Sequence, residues 1–352
     1  MMYSSAFPTL DCPLPHTINT HVVLGHGSGG KLSSDLMRDI FLPAFGNTTL
    51  NRLDDQATLD LGASRIAFTT DSFVVKPLFF PGGNIGELAI YGTVNDLAVG
   101  GAQPRFLSAS FILEEGLPLE TLRRIVAAMG AAARRVGVSI VTGDTKVVER
   151  GSGDQIFINT SGIGVLPANL NLSSSLVKPG DHILLSGPLG DHGITILSQR
   201  EGLEIDGELC SDAAPLHTLT AAIVKVSAGL RCMRDLTRGG LSSALNEIAV
   251  SSRIGMEIDE TTIPVRETVR GACELFGLDP LYVANEGKLI AIVPASEAPA
   301  VLAAMRAHEL GSASQDIGVV TGSHSGLVTM RSNLGTMRVV DTLAGDQLPR
   351  IC

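Results

Sequence analysis

The sequence has no tryptophan, only 3 tyrosines and no block of basic residues. Its 26 Lys and Arg stand against 36 Asp and Glu, and the net charge of −10 argues against nucleic acid or an anionic membrane as the main partner. No uncharged stretch approaches the ~20 residues of a membrane span, and no basic segment followed by an apolar run opens the chain. We therefore expect a cytoplasmic protein that acts on small molecules and other proteins.

The sequence also lacks the cysteine spacing of a disulfide framework or a zinc site. Its 5 cysteines are odd in number and scattered, with no C-x-x-C pair, so reduced thiols are expected. Cys352 is the last residue, and the segment that it ends, 343–352, has neither helical nor strand periodicity. An exposed thiol oxidises and cross-links, which favours a working role for Cys352 over an incidental terminal cysteine.

Length and periodicity predict two α/β domains. The 352 residues exceed the ~250–300 at which a single core stops growing, and strand-like segments alternate with helical ones in both halves. A Ser-rich stretch punctuated by Pro and Gly is the best candidate for a linker. The expected division is a loose leader at 1–20, an N-terminal domain at 21–168, a linker at 169–180, a C-terminal domain at 181–340 and a mobile tail at 341–352.

One helix has clear sequence boundaries. Pro118 stands at its start, apolar residues recur at helical spacing after it, and Gly137 stops it. A short strand of the buried type is predicted at 138–141, followed by a polar loop at 142–151. Lys146 in this loop could place its ammonium on a phosphoryl group or polarise a carbonyl oxygen, and a surface salt bridge to Asp144 or Glu149 is the alternative.

A glycine-rich run precedes the first helical pattern and is followed by a lysine. Glycines at Gly27, Gly29 and Gly30 would let backbone N–H groups approach phosphate oxygens, and Lys31 would add a positive charge. The spacing does not match the Walker pattern, so a flexible loop is an equally good interpretation of this run taken alone.

Acidic residues recur where apolar strands end or in the helix that follows. They are Asp54, Asp55, Asp71, the pair Asn95-Asp96, and Asp144. Carboxylates that converge repel one another and have raised pKa values unless a cation neutralises them. Any single one is better explained as a cap or turn residue, but their recurrence favours a site for Mg²⁺ and nucleotide phosphates.

Two further turns carry charged residues. Asp235 and Arg238 lie in a strand-to-helix turn whose N–H groups could face an anion, with helix capping as the alternative for Asp235. Glu286 precedes an apolar strand and could lie at the mouth of a site, with a simple turn as the alternative.

Together these segments resemble the HypE family of hydrogenase maturation proteins, within the superfamily of aminoimidazole ribonucleotide synthetase (PurM) and selenophosphate synthetase. The matching stretches follow the family order and include HGSGGK, DDQATLDL, VTGDTKVVERG, SGPLGDHG, RDLTRGGL, ANEGKL and the final PRIC. The resemblance implies a two-domain PurM-like α/β (α+β) fold that binds ATP, in which the N-terminal sheets of two subunits form a barrel. It therefore implies a homodimer.

The resemblance also implies an activity. In this family a HypF-type carbamoyltransferase loads a carbamoyl group onto the terminal thiolate, here Cys352. ATP then phosphorylates the thiocarbamate oxygen, and loss of phosphate and a proton leaves a thiocyanate. The cyano group passes to iron on a HypC–HypD complex and becomes a cyanide ligand of the [NiFe]-hydrogenase centre.

The residues that match the family's motifs are expected to share this work. Mg²⁺ is assigned to Asp55, Asp71 and Asp96, Lys146 to the developing oxyanion or phosphate, and Glu286 to removing a proton from the carbamoyl nitrogen. The nucleotide and its phosphates are assigned to Gly27, Gly29, Gly30, Lys31, Asp71, Asn95, Asp144, Asp235 and Arg238.

Two other functions fit parts of the sequence. A selenophosphate synthetase-like phosphoryl transfer, or activation of a formyl amide, would not require Cys352. A non-catalytic carrier of the cyano group would use the thiol without hydrolysing ATP, and would not require Asp71 or Asp96.

Overall fold

A computed structural model describes most of the chain: residues 30–36, 38–39, 50–55, 57–60, 65–203, 209–342, 348 and 350–352. The predicted leader and the glycines Gly27 and Gly29 lie outside the described residues. In chain order the strands are β1 (Ala57–Asp60), β2 (Arg65–Phe73), β3 (Phe79–Phe80), β4 (Gly83–Asn84), β5 (Gln103–Glu114), β6 (Ser139–Val148), β7 (Ile156–Val165), β8 (Asp181–Leu185), β9 (Cys232–Asp235), β10 (Gly255–Asp259), β11 (Leu289–Pro294), β12 (Gln315–Thr321), β13 (Val328–Arg331) and β14 (Met337–Val340). The α-helices are α1 (Lys31–Leu36), α2 (Ile85–Val99), α3 (Leu119–Val136), α4 (Asp191–Glu201), α5 (His217–Val226), α6 (Gly240–Ser252), α7 (Glu267–Phe276) and α8 (Ala298–Arg306).

The N-terminal sheet has the strand order β1-β2-β7-β5-β6, with β5 and β6 parallel and the other pairs antiparallel. Helices α2 and α3 cover one face of it. Helix α2 is apolar on nearly all sides and is buried, since it packs against the sheet on one side and against β9 and α5 on the other. Its first turn is capped by Asn84, whose side chain accepts hydrogen bonds from Gly86 N and Glu87 N.

The opposite face of the N-terminal sheet is not covered by any element of the described part of the chain. Phe68, Ile163 and Phe106 are directly opposite one another on β2, β7 and β5, and each is exposed. Their alternating neighbours point to the α2 side and are buried, as the two-residue period of a strand requires. The sheet therefore presents a row of large apolar side chains to its surroundings.

The C-terminal sheet has the order β14-β13-β10-β12-β8-β11-β9, with helices on both faces. Alternate residues of its interior strand β11 enter two separate cores. Ile290 and Ile292 pack with residues of α6, whereas Leu289, Ala291 and Val293 pack with residues of α5 and α8. A strand covered on both faces has no polar period, which is why β11 is a continuous apolar run.

The structure corrects the prediction for residues 138–151. Helix α3 ends at Val136, just before Gly137 as predicted, and Gly137 has the left-handed conformation (φ 81°). The following strand is not short and buried, however, but runs over Ser139–Val148 and is exposed along almost its whole length. Its pairing with β5 continues to Glu114 and Val148, and this ladder holds the polar residues of the supposed loop in an extended edge strand.

Between β7 and β8 the chain follows an irregular path with a 3₁₀ turn at Ser174–Leu176, within the predicted linker. None of the helices in the described part of the chain combines the length and the apolarity that crossing a bilayer requires.

Candidate active site

A group of carboxylates is buried where the two sheets meet. Asp71 lies on the face of β2 that is turned toward α2, Asp96 lies on α2 itself, Asp235 ends β9, and Glu286 lies just before β11. Asp235 and Glu286 are only 8% and 3% exposed. Of the acidic residues predicted to converge, Asp55, Asp71 and Asp96 lie close to one another and to Asp235 and Glu286, and we call these five residues the acidic cluster. Asp144 lies on β6, away from them.

The acidic cluster is electrostatically strained. Burial, followed by the charges of Asp235, Asp71 and Asp55, raises the pKa of Asp96 well above its ordinary value, although Thr69 donates a hydrogen bond to its Oδ2 at 2.8 Å. Burial and the charge of Asp55 raise the pKa of Asp235 to about 8. Glu286 has a pKa raised well above its ordinary value, by burial first and then by Asp71 and Asp235.

Two arginines balance part of this charge. Arg234 Nε lies 2.9 Å from Asp55 Oδ2, and its Nη1 lies 2.8 Å from Glu247 Oε2. Arg238 lies closer to the surface, and the negative charge of Cys352 is the main influence that raises its pKa, before Asp71 and Glu286. Arg234 and Glu247 were not predicted as site residues, although Arg234 directly precedes Asp235 in the sequence.

A cavity of about 160 Å³ opens beside Asp235. It is lined by both arginines and by the first turn of α6, where Ser243 is buried with no hydrogen-bond partner for its Oγ among the described residues. Gly240 begins this helix at φ 59°, and a Cβ there would lie 2.7 Å from the carbonyl oxygens of Leu281 and Val283. The turn that carries Asp235 and Arg238 therefore requires a glycine.

The donor set of the acidic cluster suits Mg²⁺, which prefers carboxylate oxygen ligands. Burial, followed by the charges of neighbouring carboxylates, raises the pKa of Asp96 well above its ordinary value and that of Asp55 to about 6. A cation would relieve the repulsion between these carboxylates. No three acidic, histidine or cysteine side chains in the described ranges are already arranged as a metal site. The assignment of Mg²⁺ to Asp55, Asp71 and Asp96 fits this chemistry and stays a prediction.

The loop that carries Glu286 is held by hydrogen bonds on both sides. Asn285 Oδ1 accepts from Gly190 N at 2.8 Å, and its Nδ2 donates to the carbonyl oxygens of Leu236 and Val283. Glu286 N donates to Asp212 Oδ1 at 3.0 Å. Glu286 Oε1 is itself buried without a hydrogen-bond partner in the described structure, so its backbone is fixed while its carboxyl group is left for chemistry.

Asn95 forms hydrogen bonds that its sequence context did not predict. Its Nδ2 donates to the carbonyl oxygens of Ala214 (3.0 Å) and Glu286 (3.3 Å), and its Oδ1 accepts from Leu216 N at 2.7 Å. Both amide protons are therefore used in fixing the loop of Glu286 against α2. Asn95 therefore positions this loop, and its predicted role at the nucleotide stays a prediction.

The end of the chain is docked beside the acidic cluster. Val74 N donates to the main-chain oxygen of Cys352 at 2.8 Å, and Lys76 N donates to Arg350 O at 3.3 Å, so the last residues extend along the segment after β2. The side chain of Ile351 is buried in the N-terminal core. This position brings the charge of Cys352 to Arg238.

Lys146 and Asp144 lie elsewhere in the single chain. They pair with Ile112 and Ser110 of β5 and so point to the uncovered face of the N-terminal sheet, whereas Asp71 points to the other face. Three steps of ~4.8 Å between strands place β6 roughly 14 Å from β2. Lys146 is 69% exposed and forms the 2.6 Å ion pair with Asp144 that was the predicted alternative.

Gly30 and Lys31 mark the start of α1, where Gly30 is buried. Their predicted role at the phosphates is not tested by this placement.

Comparison with known proteins agrees with these features. The sequence model of "AIR synthase related protein, N-terminal domain" matches residues 53–166, and that of the C-terminal domain matches residues 178–330. Carbamoyl dehydratase HypE of Cupriavidus necator is 54% identical over 330 residues, which are 94% of each chain. The chain belongs to the HypE family. The HypE of Escherichia coli K12 is 48% identical over 94% of this chain and 99% of its own.

Solved HypE structures share the architecture. A crystal structure of HypE in complex with ATP has a TM-score of 0.80 and 49% identity, covering 94% of this chain and 100% of that one. A HypE–HypF complex has a TM-score of 0.83 and 48% identity, covering 88% and 99%. The predicted HypE resemblance and the PurM-like α/β fold class are thereby confirmed.

Proposed function

We propose that this HypE chain is an ATP-dependent carbamoyl dehydratase that converts an S-carbamoyl group on Cys352 to a thiocyanate for the [NiFe]-hydrogenase centre. The observation that carries the proposal is the docked end of the chain, which brings Cys352 beside Arg238 and the acidic cluster. Relatives named carbamoyl dehydratase HypE, and the HypE structure with ATP, support the reaction type and the nucleotide.

The reaction removes the elements of water from the carbamoyl group. The carbamoyl oxygen attacks the γ-phosphorus of ATP and ADP leaves, which turns a poor leaving group into a phosphate ester. The C–O bond then breaks, phosphate departs with the carbamoyl oxygen, and both N–H protons are lost as the C≡N bond forms. One thiocarbamate and one ATP thus give one thiocyanate, ADP, phosphate and a proton.

Glu286 is the residue we assign to the proton on nitrogen. Its carboxyl group is buried, has an unpaired Oε1 and rests on a fixed backbone, as a general base in a closed site requires. Its raised pKa makes it a strong proton acceptor once ionised, and Arg238 favours the ionised form. Mg²⁺ held by Asp55, Asp71 and Asp96 would neutralise charge on the transferring phosphoryl group.

Lys146 is assigned to the oxyanion or phosphate across a homodimer. In one chain Lys146 and Asp71 are on opposite faces of the N-terminal sheet, so this assignment requires that Lys146 reaches the acidic cluster of the partner subunit past the edge strand β6. The uncovered row Phe68, Ile163 and Phe106, beside the unpaired edge of β6, supports a dimer in which two such sheets close into a barrel.

The partners follow from the same reaction. A HypF-type carbamoyltransferase would supply the carbamoyl group, which the HypE–HypF complex supports, and an iron-bearing HypC–HypD complex would receive the cyano group. For this exchange the end of the chain must leave the docked position, so the predicted mobility of the tail belongs to the proposal. The cytoplasmic location also stays a prediction from the sequence.

The proposal is tested by following the mass of Cys352. With a HypF-type carbamoyltransferase, carbamoyl phosphate and ATP, we expect one carbamoyl adduct on Cys352 that then loses one water, and no adduct on Cys352→Ala. An adduct on another residue, or no adduct at all, would contradict a mechanism in which Cys352 carries the carbamoyl group. A carbamoyl adduct that never loses water, even with Mg²⁺ and ATP, would favour the carrier, and ATP-dependent phosphoryl transfer by Cys352→Ala would favour the selenophosphate-like alternative.

A further inference from the structure

His192 lies at the first turn of α4 and is buried at the docked end of the chain. Its Nε2 is 2.8 Å from the carbonyl oxygen of Ile351, and its Nδ1 is 2.7 Å from Ser211 Oγ. The sequence motif that contains it, SGPLGDHG, matched the family but received no role in the reaction. No part of the proposed chemistry uses it.

The contacts of His192 define its protonation. A carbonyl oxygen can only accept, so Nε2 must carry the proton that it donates to Ile351 O. Ser211 Oγ accepts from Ala213 N at 3.1 Å and has its own proton left to donate to Nδ1. Burial lowers the pKa of His192, which is consistent with the neutral ring. The hydrogen-bond chain therefore runs in one direction, from Ala213 through Ser211 and His192 to Ile351.

The neighbours of His192 close the remaining sides of Ile351. Phe80 packs edge-on against the imidazole at a centroid distance of 5.6 Å, and the Ile351 side chain is 4% exposed in the same core. On the other side of the tail, Arg200 donates to the carbonyl oxygens of Lys76 (2.6 Å) and Arg350. Ile351 is thus held by both its carbonyl group and its side chain, one residue before the thiol that reacts.

We infer that His192 is a positioning residue which, through its Nε2–H bond to the carbonyl of Ile351, sets Cys352 at the acidic cluster for dehydration. The consequence for dehydration rests on the proposed function, but the docking of the tail by the His192–Ile351 hydrogen bond, which we call the clamp, can be measured without ATP or a carbamoyl group. Loading by a carbamoyltransferase requires the undocked tail and does not require the clamp. His192 should therefore matter for one half of the cycle and not for the other.

The first experiment measures docking directly. The full chain is treated with iodoacetamide, and the labelling rate at Cys352 is read by peptide mass spectrometry. His192→Leu should raise this rate about three- to tenfold, because it removes one buried hydrogen bond. His192→Gln, whose amide can still donate to Ile351 O, should stay closer to the wild type, and His182→Leu, a histidine on β8 away from the tail, should leave the rate unchanged.

The second experiment separates the two halves of the cycle. In His192→Leu, conversion of the carbamoyl adduct to the cyano adduct should slow by a similar factor, while carbamoyl loading is not slowed. An unchanged labelling rate at Cys352, or equal slowing of loading and conversion, would overturn the inference. If His192→Leu does not fold, Ser211→Ala decides in its place and should raise labelling in the same direction.

The two proposals fail in different ways. If His192→Leu increases labelling but even the wild-type chain shows no conversion, the role of His192 is supported and the dehydratase activity is contradicted. If the wild type converts normally but His192→Leu does not change labelling, the dehydratase activity is supported and the role of His192 is contradicted.

Discussion

The backbone amide of Val74 donates a hydrogen bond to the main-chain oxygen of Cys352 at 2.8 Å. Val74 directly follows β2, which carries Asp71 on its buried side three residues earlier. The last residue of the chain is therefore aligned with the strand that supplies one of the cluster carboxylates. Cys352 and Asp71, which are far apart in the sequence, are thereby held next to one short stretch of backbone, residues 71–74.

The raised pKa of Glu286, caused by burial and then by Asp71 and Asp235, predicts how conversion depends on pH. A base must be ionised to accept a proton, so conversion should rise with pH through this pKa, and the acid limb should lie above the 4.5 of an ordinary glutamate. The measurement is single-turnover loss of water from the carbamoyl adduct. Glu286→Gln should keep the carbamoyl adduct unconverted, and a flat profile from about pH 5 to about pH 8 in the wild type would remove Glu286 as the base.

The position of Lys146 predicts complementation between subunits. Lys146→Ala and Cys352→Ser should each be inactive in conversion. Mixed and allowed to exchange subunits, they should recover about a quarter of wild-type activity, because half of the dimers are mixed and each of these has one complete site. In the control, each homodimer is cross-linked before the two variants are mixed. The subunits can then no longer exchange, and the mixture should stay inactive. Full activity of Lys146→Ala alone would exclude Lys146 from the reaction.

The uncovered sheet face predicts a dimer that one charge can disrupt. Ile163 lies between Phe68 and Phe106, and Ile163→Glu should place an unpaired charge at the centre of the interface. Sedimentation should show a dimer for the wild type and a monomer for Ile163→Glu, with the helical signal retained. Leu334→Glu, at an 86% exposed position before β14, is the matched control and should remain dimeric. A monomeric wild type would contradict the barrel.

The contacts of Asn95 predict a loss of stability. Asn95→Ala would leave Leu216 N and the carbonyl oxygen of Ala214 without their partner and Glu286 O with only Ala214 N, at a cost of about 2–4 kcal/mol in the free energy of unfolding. Chemical denaturation measures this, and Asn333→Ala in the exposed turn before β14 should change it by less than ~0.5 kcal/mol. Unchanged stability with weakened ATP binding would instead support the role predicted from sequence.

The residues of the acidic cluster could be singled out from sequence because each stands in, or next to, an apolar segment. Asp71 and Asp235 belong to different sheets, however, so local patterns marked these two residues but not their proximity. Helix α3 could also be predicted from local sequence, since Pro118 and Gly137 mark its two ends. In these cases the relevant physics acts within a few residues.

What sequence could not supply depends on distant partners. Asn95 was assigned to the nucleotide because it stands next to Asp96, but its amide is used by residues 119 and 191 positions away. The extended state of Lys146 comes from pairing with β5, which no local pattern of polar residues indicates. His192 was missed because its partner, Ile351 O, is a backbone atom and leaves no signature in residue types.

The docking of Cys352 against the segment after β2 has a kinetic consequence. A substrate that is carried on the enzyme's own chain has an effective concentration set by the tether, so dehydration of a loaded chain is a unimolecular event with no Michaelis constant for the carbamoyl group. Dilution should leave its rate constant untouched until the subunits separate and Lys146 of the partner is lost. The concentration at which the rate falls would then report the dissociation constant of the dimer.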